Sequence, residues 1–230
     1  MKYRYETHLH TSPASRCAKA SVAETIAFYK SIGYAGVFIT NHFLDANVGC
    51  DRTLPYEEKL DFYFNDYYEA KKLEDESFSV FLGVENNYLG SHCLIYGLAP
   101  AWYYAHPECI TMKKHELLPM LQAEGALVIQ AHPFHEDTWV PHFSLFPRVV
   151  HGVEIVNTSR PDFENEMARL YAEHYSLLPF AGSDNHTAGK HARLGGMEGD
   201  TRIADEADFV RRVLGGEMQP FVMENPLIEK

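Results

Sequence analysis

Short apolar runs and helical patterns alternate along the whole chain. The runs AGVFIT at residues 35–40 and ALVIQ at residues 126–130 are continuously apolar, which is typical of strands covered on both faces. Ser21 and Glu24 have the spacing of a capping box, which predicts the start of a helix that runs to about Ser31. This alternation predicts parallel strands joined by helices, as in an α/β barrel.

The same pattern divides most of the chain into strands and helices. The predicted strands cover residues 3–9, 35–40, 78–84, 93–96, 126–130, 152–156, 178–181 and 220–223. The predicted helices cover residues 21–31, 55–74, 111–123, 163–175 and 205–214. The turn between the third and fourth strands is shorter than the ten or so residues that a crossover needs, so we expect a hairpin-like pair there. No repeat or linker interrupts the series, and residues 1–230 are predicted to form one domain.

Most of the predicted strands end on, or within two residues of, a histidine or a carboxylate. These residues are His8, His10, His42, Glu85, His132, Glu154, Asp184 and His186. The carboxyl ends of the strands in a barrel open on one face, so these side chains are expected to meet there. The H-x-H and D-x-H spacings direct both side chains of each pair to the same side of a strand. A buried carboxylate such as Glu85 would be costly unless a cation neutralised it, so the sequence predicts a site for more than one metal ion.

Composition narrows the class of protein. With 230 residues, 46% hydrophobic and 23% charged, the chain can bury one large core. Its formal net charge of -12 argues against general nucleic-acid binding through a basic surface, although bound divalent cations would reverse the local potential and admit a phosphorylated substrate. The amino terminus has no apolar leader and no stretch of about 18 apolar residues occurs, so a cytoplasmic location without membrane association is expected. The four cysteines, which form no C-x-x-C pair, suit reduced thiols.

The ordered motifs resemble one known superfamily. The set H-x-H, T-N-H, G-V-E, S-H-C-L-I-Y-G, Q-A-H-P-F, V-E-I-V-N and G-S-D-N-H, from residue 3 to about 196, is similar to that of the polymerase and histidinol phosphatase (PHP) superfamily of metal-dependent phosphoesterases. The resemblance implies a distorted (β/α)7 TIM-like barrel that binds two or three divalent metal ions, namely zinc, manganese or iron.

The resemblance also implies a set of metal ligands. His8, His10 and Asp184 would share one metal, Glu85 would bridge it to a second metal held by His92 and His132, and His42 and His186 would belong to a third. Many members place a third-metal histidine about six residues after H-x-H, where this chain has Arg16. Either the third site is weakened and two metals remain, or Cys17 or solvent completes it.

Several residues are candidates for substrate binding. A guanidinium at the mouth of the site can hold phosphate oxygens through two parallel hydrogen bonds, which makes Arg16 a candidate. Lys190, His191 and Arg193 lie just beyond the D-N-H motif and are further candidates, while His191 and His135 are candidate proton donors to a leaving group. Glu154 and Asn157 are expected to form hydrogen bonds in the barrel floor.

These features predict hydrolysis of a small phosphomonoester, such as histidinol phosphate or a nucleotide, by attack of a metal-activated hydroxide on phosphorus. Asp184, His132 and Arg16 are the residues expected to be catalytic. Three alternatives remain: a phosphodiesterase or exonuclease acting on oligonucleotides, a non-catalytic metal-binding barrel, and, more distantly, an amidohydrolase. A small phosphorylated substrate is the expected partner, and the oligomeric state is left open.

Overall fold

The computed structural model describes residues 2–228, and within them nine strands form one strongly curved sheet. The strands are β1 Tyr3–Glu6, β2 Gly36–Ile39, β3 Ser79–Tyr88, β4 Ser91–Tyr96, β5 Leu127–Ala131, β6 Gly152–Asn157, β7 Leu178–Gly182, β8 Arg193–Gly199 and β9 Gln219–Glu224. Their spatial order is β7-β6-β5-β4-β3-β2-β1-β8-β9.

Within residues 2–228, four of the eight strand pairings are parallel and four are antiparallel, including those of β8 with β1 and β9. β1, β2 and β3 pair in parallel, as do β5, β6 and β7, whereas β4 is antiparallel to both β3 and β5. The hairpin-like pair predicted from the short turn is therefore confirmed, with Leu89 and Gly90 at positive φ in the turn. Because β4 reverses the chain and β5 reverses it again, the six other strands from β1 to β7 all end at the same face.

Main-chain bonds between the two sides of the sheet nearly close it into a barrel. The amide of His10 donates to the carbonyl of Asn185 at 2.9 Å, and the amide of Asn185 donates to the carbonyl of His8 at 3.2 Å. The segment after β1 therefore lies beside the segment after β7. The prediction of an α/β barrel in a single chain is confirmed, and the closure brings the H-x-H and D-x-H motifs side by side.

The helices pack on the outside of the barrel and across one end. They are α1 Val22–Ser31, α2 Tyr56–Lys71, α3 Pro100–Ala105, α4 Lys114–Ala123, α5 Asp162–Tyr175 and α6 Glu206–Leu214. The predicted capping box is present in α1: the Glu24 amide donates to Ser21 Oγ at 3.3 Å and the Ser21 amide donates to the Glu24 carboxylate at 2.8 Å. Among residues 2–228, no helix combines the length and the apolar character needed to cross a membrane.

Aromatic side chains fill the barrel interior at the end where the parallel strands begin. Phe38 of β2, Tyr96 of β4 and Phe180 of β7 are buried there, and Phe209 of α6 packs among them, with its ring centroid 4.3 Å from that of Phe38. This packing fills one end of the barrel. The opposite end, where the parallel strands finish, is left for polar side chains.

Two elements were missing from the sequence-based prediction, α3 and β8. The sequence RLGGMEG of β8 contains three glycines, which favour loops, but the close approach of β1 requires glycine there. A Cβ built on Gly196, whose φ is +148°, would lie 2.0 Å from the carbonyl oxygen of Tyr5. Tertiary packing thus selects a glycine-rich strand that local pattern does not reveal.

Candidate metal centre

Glu85 lies at the centre of a ring of histidines. Its carboxylate is fully buried, and five imidazole nitrogens lie within 3.5 Å of it. These are His42 Nδ1 at 2.5 Å, His92 Nδ1 at 2.9 Å, His8 Nε2 at 3.2 Å, His132 Nε2 at 3.3 Å and His10 Nε2 at 3.5 Å. A carboxylate in this position can face more than one cation.

Asp184 faces the same histidines from the end of β7. Its carboxylate oxygens lie 3.2 Å from His10 Nε2, 3.5 Å from both His8 Nε2 and His186 Nδ1, and 3.9 Å from His132 Nε2. The backbone of Asp184 is in the left-handed region, with φ of +53°, and that of His132 also has a positive φ, +23°. Such conformations are costly for residues other than glycine and are concentrated at functional sites.

The structure brings all eight predicted ligands into one place, which we call the ligand cluster. It contains four sets of three potential ligand atoms that lie within 4.8 Å of one another: His8, His10 and Glu85; His8, His132 and Asp184; His42, Glu85 and His92; and His10, His42 and His186. The expected convergence of strand ends is therefore observed. That these residues bind metal remains a prediction.

The residues of the ligand cluster fit divalent metal ions. Five atoms are buried and form no hydrogen bond within the described part of the chain, namely His8 Nε2, His10 Nε2, His42 Nδ1, Glu85 Oε2 and His132 Nδ1. His42 Nδ1 and Glu85 Oε2 are close enough for an ion pair, but they are not aligned as donor and acceptor. An unsatisfied buried polar atom costs about 1–3 kcal/mol, and a cation among these lone pairs would remove that cost. Imidazole and carboxylate ligands suit zinc, iron and manganese.

A second layer of polar groups orients the ligand cluster. Glu154, which is fully buried, accepts hydrogen bonds from the His132 amide and from Asn157 Nδ2, both at 3.0 Å, and lies 2.9 Å from His8 Nδ1. Carboxylates in this position fix the tautomer of a metal-binding histidine. The predicted role of Glu154 and Asn157 in the barrel floor agrees with these contacts.

Glu6 is a further supporting residue that the sequence pattern did not reveal. Its carboxylate accepts hydrogen bonds from the amides of His8 and Ser183, both at 2.9 Å, and from the hydroxyl of Tyr29 at 2.7 Å. Burial raises the pKa of Glu6 to about 7. Glu6 thereby ties the strand that carries H-x-H to the strand that precedes Asp184.

Charges within the ligand cluster balance one another. Burial alone would raise the pKa of Glu85, but the charges of His92 and His42 outweigh it and hold the pKa well below the usual range. Burial, together with the charges of His186 and His42, holds the pKa of His10 well below its usual range. The lowered pKa of His10 favours its neutral ring, which can offer a lone pair to a cation.

The ligand cluster opens into a cavity of about 830 Å³. The lining residues outside the ligand cluster are Cys17, Asp45, Ala46, Asn47, Arg52, Asn87, His135, Asp137, Trp139, Ser159, Arg160, Thr187 and His191. Of the four predicted substrate-binding residues, only His191 lines the cavity. Arg16 and Lys190 are exposed outside it, and Arg193 forms an ion pair with Asp162 at 2.9 Å.

The two predicted proton donors both line the cavity, but their surroundings disfavour the protonated ring. Burial, followed by the charges of His132 and Arg160, lowers the pKa of His135 to about 4. Burial also lowers the pKa of His191, whose Nδ1 lies 3.2 Å from Ser159 Oγ. Both imidazoles are therefore neutral at pH 7, where they can donate a hydrogen bond but hold no extra proton.

Arg160, Arg52 and Trp139 line the cavity and were missed in the sequence. Arg160 follows β6 in the segment Asn-Thr-Ser-Arg, so a search for arginines after strand ends, as well as histidines and acids, would have found it. Arg52 and Trp139 lie in long loops whose paths depend on tertiary packing. Trp139 is 54% exposed and its ring centroid lies 6.5 Å from that of His92.

Comparison with known proteins gives one family match. The family described as PHP-associated matches residues 162–218, which include Asp184 and His186 but less than half of the chain. No curated protein matches the sequence.

Solved structures resemble the fold over nearly the whole chain. A two-domain protein from Bacteroides vulgatus ATCC 8482, containing a predicted PHP-like metal-dependent phosphoesterase, is 14% identical over 96% of this chain with a TM-score of 0.64, and this chain spans 65% of its length. PsfC from Pseudomonas syringae PB-5123 is 15% identical over 98% of this chain and 92% of its own, with a TM-score of 0.61. An amidohydrolase from Chromobacterium violaceum, with bound sulfate and no metal, is 14% identical over 94% of this chain and 97% of its own, with a TM-score of 0.53. Because these sequence identities are low, the solved structures show that the folds are alike and do not show a shared activity.

Proposed function

We propose that the chain is a PHP-superfamily protein and a metal-dependent phosphoesterase that hydrolyses a small phosphomonoester; the match of residues 162–218 to the PHP-associated family and the likeness of fold support this proposal. The observation that carries the proposal is the ligand cluster itself. Eight histidine and carboxylate side chains meet at the open end of a barrel, five of their buried atoms lack a hydrogen-bond partner within residues 2–228, and a cavity lies above them.

The proposed metals are two or three divalent ions. His8, His10 and Asp184 would hold one, His92 and His132 another, with Glu85 between them, and His42 and His186 would face a third. When bound, such ions would polarise a phosphoryl oxygen and lower the pKa of water. Glu154 lies beside His8 Nδ1, so that His8 Nε2 faces Glu85 and is oriented to bind a metal ion.

Arg160 is the best-placed group for a phosphate. Glu164, itself 4% exposed, accepts hydrogen bonds from Arg160 Nε at 2.7 Å and from Nη2 at 2.9 Å, so the guanidinium is fixed in the cavity wall. Nη1 forms no hydrogen bond to any residue that the structure describes. We therefore assign to Arg160 the phosphate-binding role that the sequence suggested for Arg16.

Several features favour a small phosphorylated substrate. The net charge of -12 disfavours long polyanions outside the cavity, whereas Arg160 and Arg52 supply local positive charge within it. The bound sulfate of the amidohydrolase with the same fold is a tetrahedral anion similar to a phosphate group, which agrees with this choice. Histidinol phosphate and nucleotides are the first substrates to test.

The test combines metal analysis with a substrate panel. Purified protein is loaded with zinc, manganese or iron, its metal content is measured, and release of inorganic phosphate from histidinol phosphate, nucleotides and an aryl phosphate is followed. Asp184→Asn and His132→Gln should abolish hydrolysis, because each removes a side chain of the ligand cluster. The matched controls Asp162→Asn and His115→Gln, whose exposed side chains lie outside the cavity, should retain it.

The alternatives give different outcomes in the same experiment. Cleavage of a labelled oligonucleotide without release of phosphate from monoesters would identify a phosphodiesterase. Turnover of amide substrates alone would identify an amidohydrolase. Bound metal without any turnover would leave a non-catalytic metal-binding barrel, and full hydrolysis by metal-free protein would overturn the whole proposal.

A further inference from the structure

One wall of the cavity carries an exposed tryptophan beside the ligand cluster. The Trp139 side chain is 54% exposed and lines the cavity, and its ring is inclined by 29° to that of His92, with the two centroids 6.5 Å apart. Tryptophan is highly buried on average, because burial of its large ring is favourable. Its open position beside a polar site therefore indicates a surface on which a flat ligand group can stack.

The segment around Trp139 is held by its neighbours. The Val140 amide donates to the carbonyl of Asp137 at 3.0 Å, which closes a turn around Trp139. The ring also packs on the turn between β3 and β4, where a Cβ built on Gly90 would lie 3.3 Å from Trp139 Cζ3. A ligand that stacks on a side chain held in this way pays less ordering entropy than one that must first immobilise it.

His135 stands at right angles to the Trp139 ring. The two centroids are 5.5 Å apart at an interplanar angle of 86°, and His135 also lines the cavity. Both of its ring nitrogens are buried, and neither has a hydrogen-bond partner in the part of the chain that the structure describes. A neutral imidazole carries one N–H donor and one lone pair, and leaving them unsatisfied is costly. A ligand group with a nitrogen or oxygen atom beside Trp139 would satisfy them.

A single buried carboxylate fixes this wall relative to Arg160. Glu164 accepts hydrogen bonds from the Arg160 guanidinium and, at 3.2 Å, from the amide of Glu136. Arg160 Nη2 in turn donates to the carbonyl of Glu136 at 3.3 Å. The candidate phosphate-binding arginine therefore contacts the residue next to His135, so one small molecule can reach the arginine, the imidazole and the indole together.

We propose that Trp139 and His135 form a subsite for a planar heteroaromatic group of the substrate, on which Trp139 stacks and to which His135 forms a hydrogen bond. The inference rests on the phosphomonoester hydrolysis proposed above and names the class of leaving group that the cavity selects. The face of an indole attracts cations, and Asp137 adds negative charge to the same wall. A neutral or cationic ring is therefore favoured over an anionic one.

The test uses phosphonates, which lack the ester bond that the enzyme would hydrolyse. The probes are butylphosphonate, 2-phenylethylphosphonate and 2-(4-pyridyl)ethylphosphonate, and calorimetry measures their affinity for zinc-loaded protein at a pH where the pyridine is neutral. The wild-type protein should bind the phenyl compound about tenfold more tightly than the butyl compound, because the phenyl ring stacks on Trp139. The pyridyl compound should bind about threefold more tightly again, because its nitrogen accepts a hydrogen bond from His135.

Variants assign these preferences to the two side chains. Trp139→Ala should remove the preference for a ring, and Trp139→Phe should keep part of it. His135→Ala should remove only the additional affinity for the pyridyl compound. The matched control is Phe143→Ala, because Phe143 is an exposed aromatic side chain that does not line the cavity, and this variant should keep both preferences.

The comparison of probes on the unchanged protein does not depend on the folding of any variant. Equal affinity of the wild-type protein for the phenyl and butyl compounds, or no binding of any probe, would overturn the proposal. So would a ring preference that persists in Trp139→Ala, or a pyridyl preference that persists in His135→Ala. If both preferences are found but no phosphate ester is hydrolysed, the subsite stands and the phosphoesterase proposal fails. Hydrolysis without any ring preference has the opposite meaning.

Discussion

Gly182 provides a direct test of how tightly the ligand cluster is built. It ends β7, and a Cβ at this position would lie 2.4 Å from His8 Cβ and 2.7 Å from Glu154 Oε1. Carbon atoms pack at about 3.5–4.0 Å, so Gly182→Ala demands a shift of about 1 Å from neighbours that are both fully buried. Overpacking of this kind costs about 1–3 kcal/mol, and disruption of the bond between His8 and Glu154 adds to it. We expect a loss of about 2–4 kcal/mol in the free energy of unfolding.

The same shift should weaken metal binding by about 10–100-fold, because Glu154 orients His8. Urea unfolding followed by circular dichroism measures the stability, and competition with a fluorescent chelator measures the affinity for zinc. Gly215→Ala is the matched control: its φ is −82°, and it should change the stability by less than about 1 kcal/mol. Wild-type stability and metal affinity in Gly182→Ala would refute this account of the packing between β7 and His8.

Three further outcomes are expected. Glu154→Gln keeps the size of the side chain but removes the charge that faces His8, so calorimetry should show about 10–100-fold weaker metal binding; unchanged affinity would count against the orienting role. Removing metal with a chelator should lower the free energy of unfolding by about 2.7 kcal/mol if the metal was present at 100 times its dissociation constant, and an unchanged melting temperature would contradict this. Burial would raise the pKa of Asp208, but Arg212 and Arg211 outweigh it and lower the pKa to about 2. This lowered pKa stabilises the fold above about pH 4, and the stabilisation is lost as the pH falls through about 2. In urea titrations Asp208→Asn should therefore lower the free energy of unfolding by about 1–2 kcal/mol at pH 7 and by almost nothing near pH 2. An equal loss at both pH values would rule out the charge effect.

The polar residues at the strand ends were predictable because both their residue types and their positions after apolar runs indicate the open end of a barrel. Glu85 and His132 each follow or end an apolar run, and such a residue has few positions other than the open end of a barrel. The alternation of side chains on a strand then places His8 and His10 on one face. Local pattern was therefore enough for every member of the ligand cluster except His92, and the structure brings all of the members together.

Loop residues were not predictable in the same way. Arg16 is exposed outside the cavity whereas Cys17 lines it; both lie in the loop after His10, where the Arg16 amide donates to the carbonyl of Asn47 at 3.0 Å. Asn47 lies about thirty positions along the sequence, in a loop that itself has no periodic pattern. Arg160 had a signal in its position after β6. Lys190 and Arg193 had only their proximity to Asp184 in the sequence, and neither lines the cavity.

His92 shows how strand direction changes the rule about strand ends. It stands near the start of β4, so the strand-end pattern does not select it, and only the resemblance adds it to the predicted ligands. β4, however, runs antiparallel to β3 and β5, so its start lies at the face where the parallel strands end. Its pairing partners are Asn87, two residues after Glu85, and Ala131, the residue before His132. The β3–β4 hairpin thus contributes to the ligand cluster from both of its strands: Glu85 from within β3 and His92 from near the start of β4. A candidate ligand is therefore predicted by the end of the barrel at which it lies. That end follows from the direction of its strand, once the short turn at Gly90 is recognised.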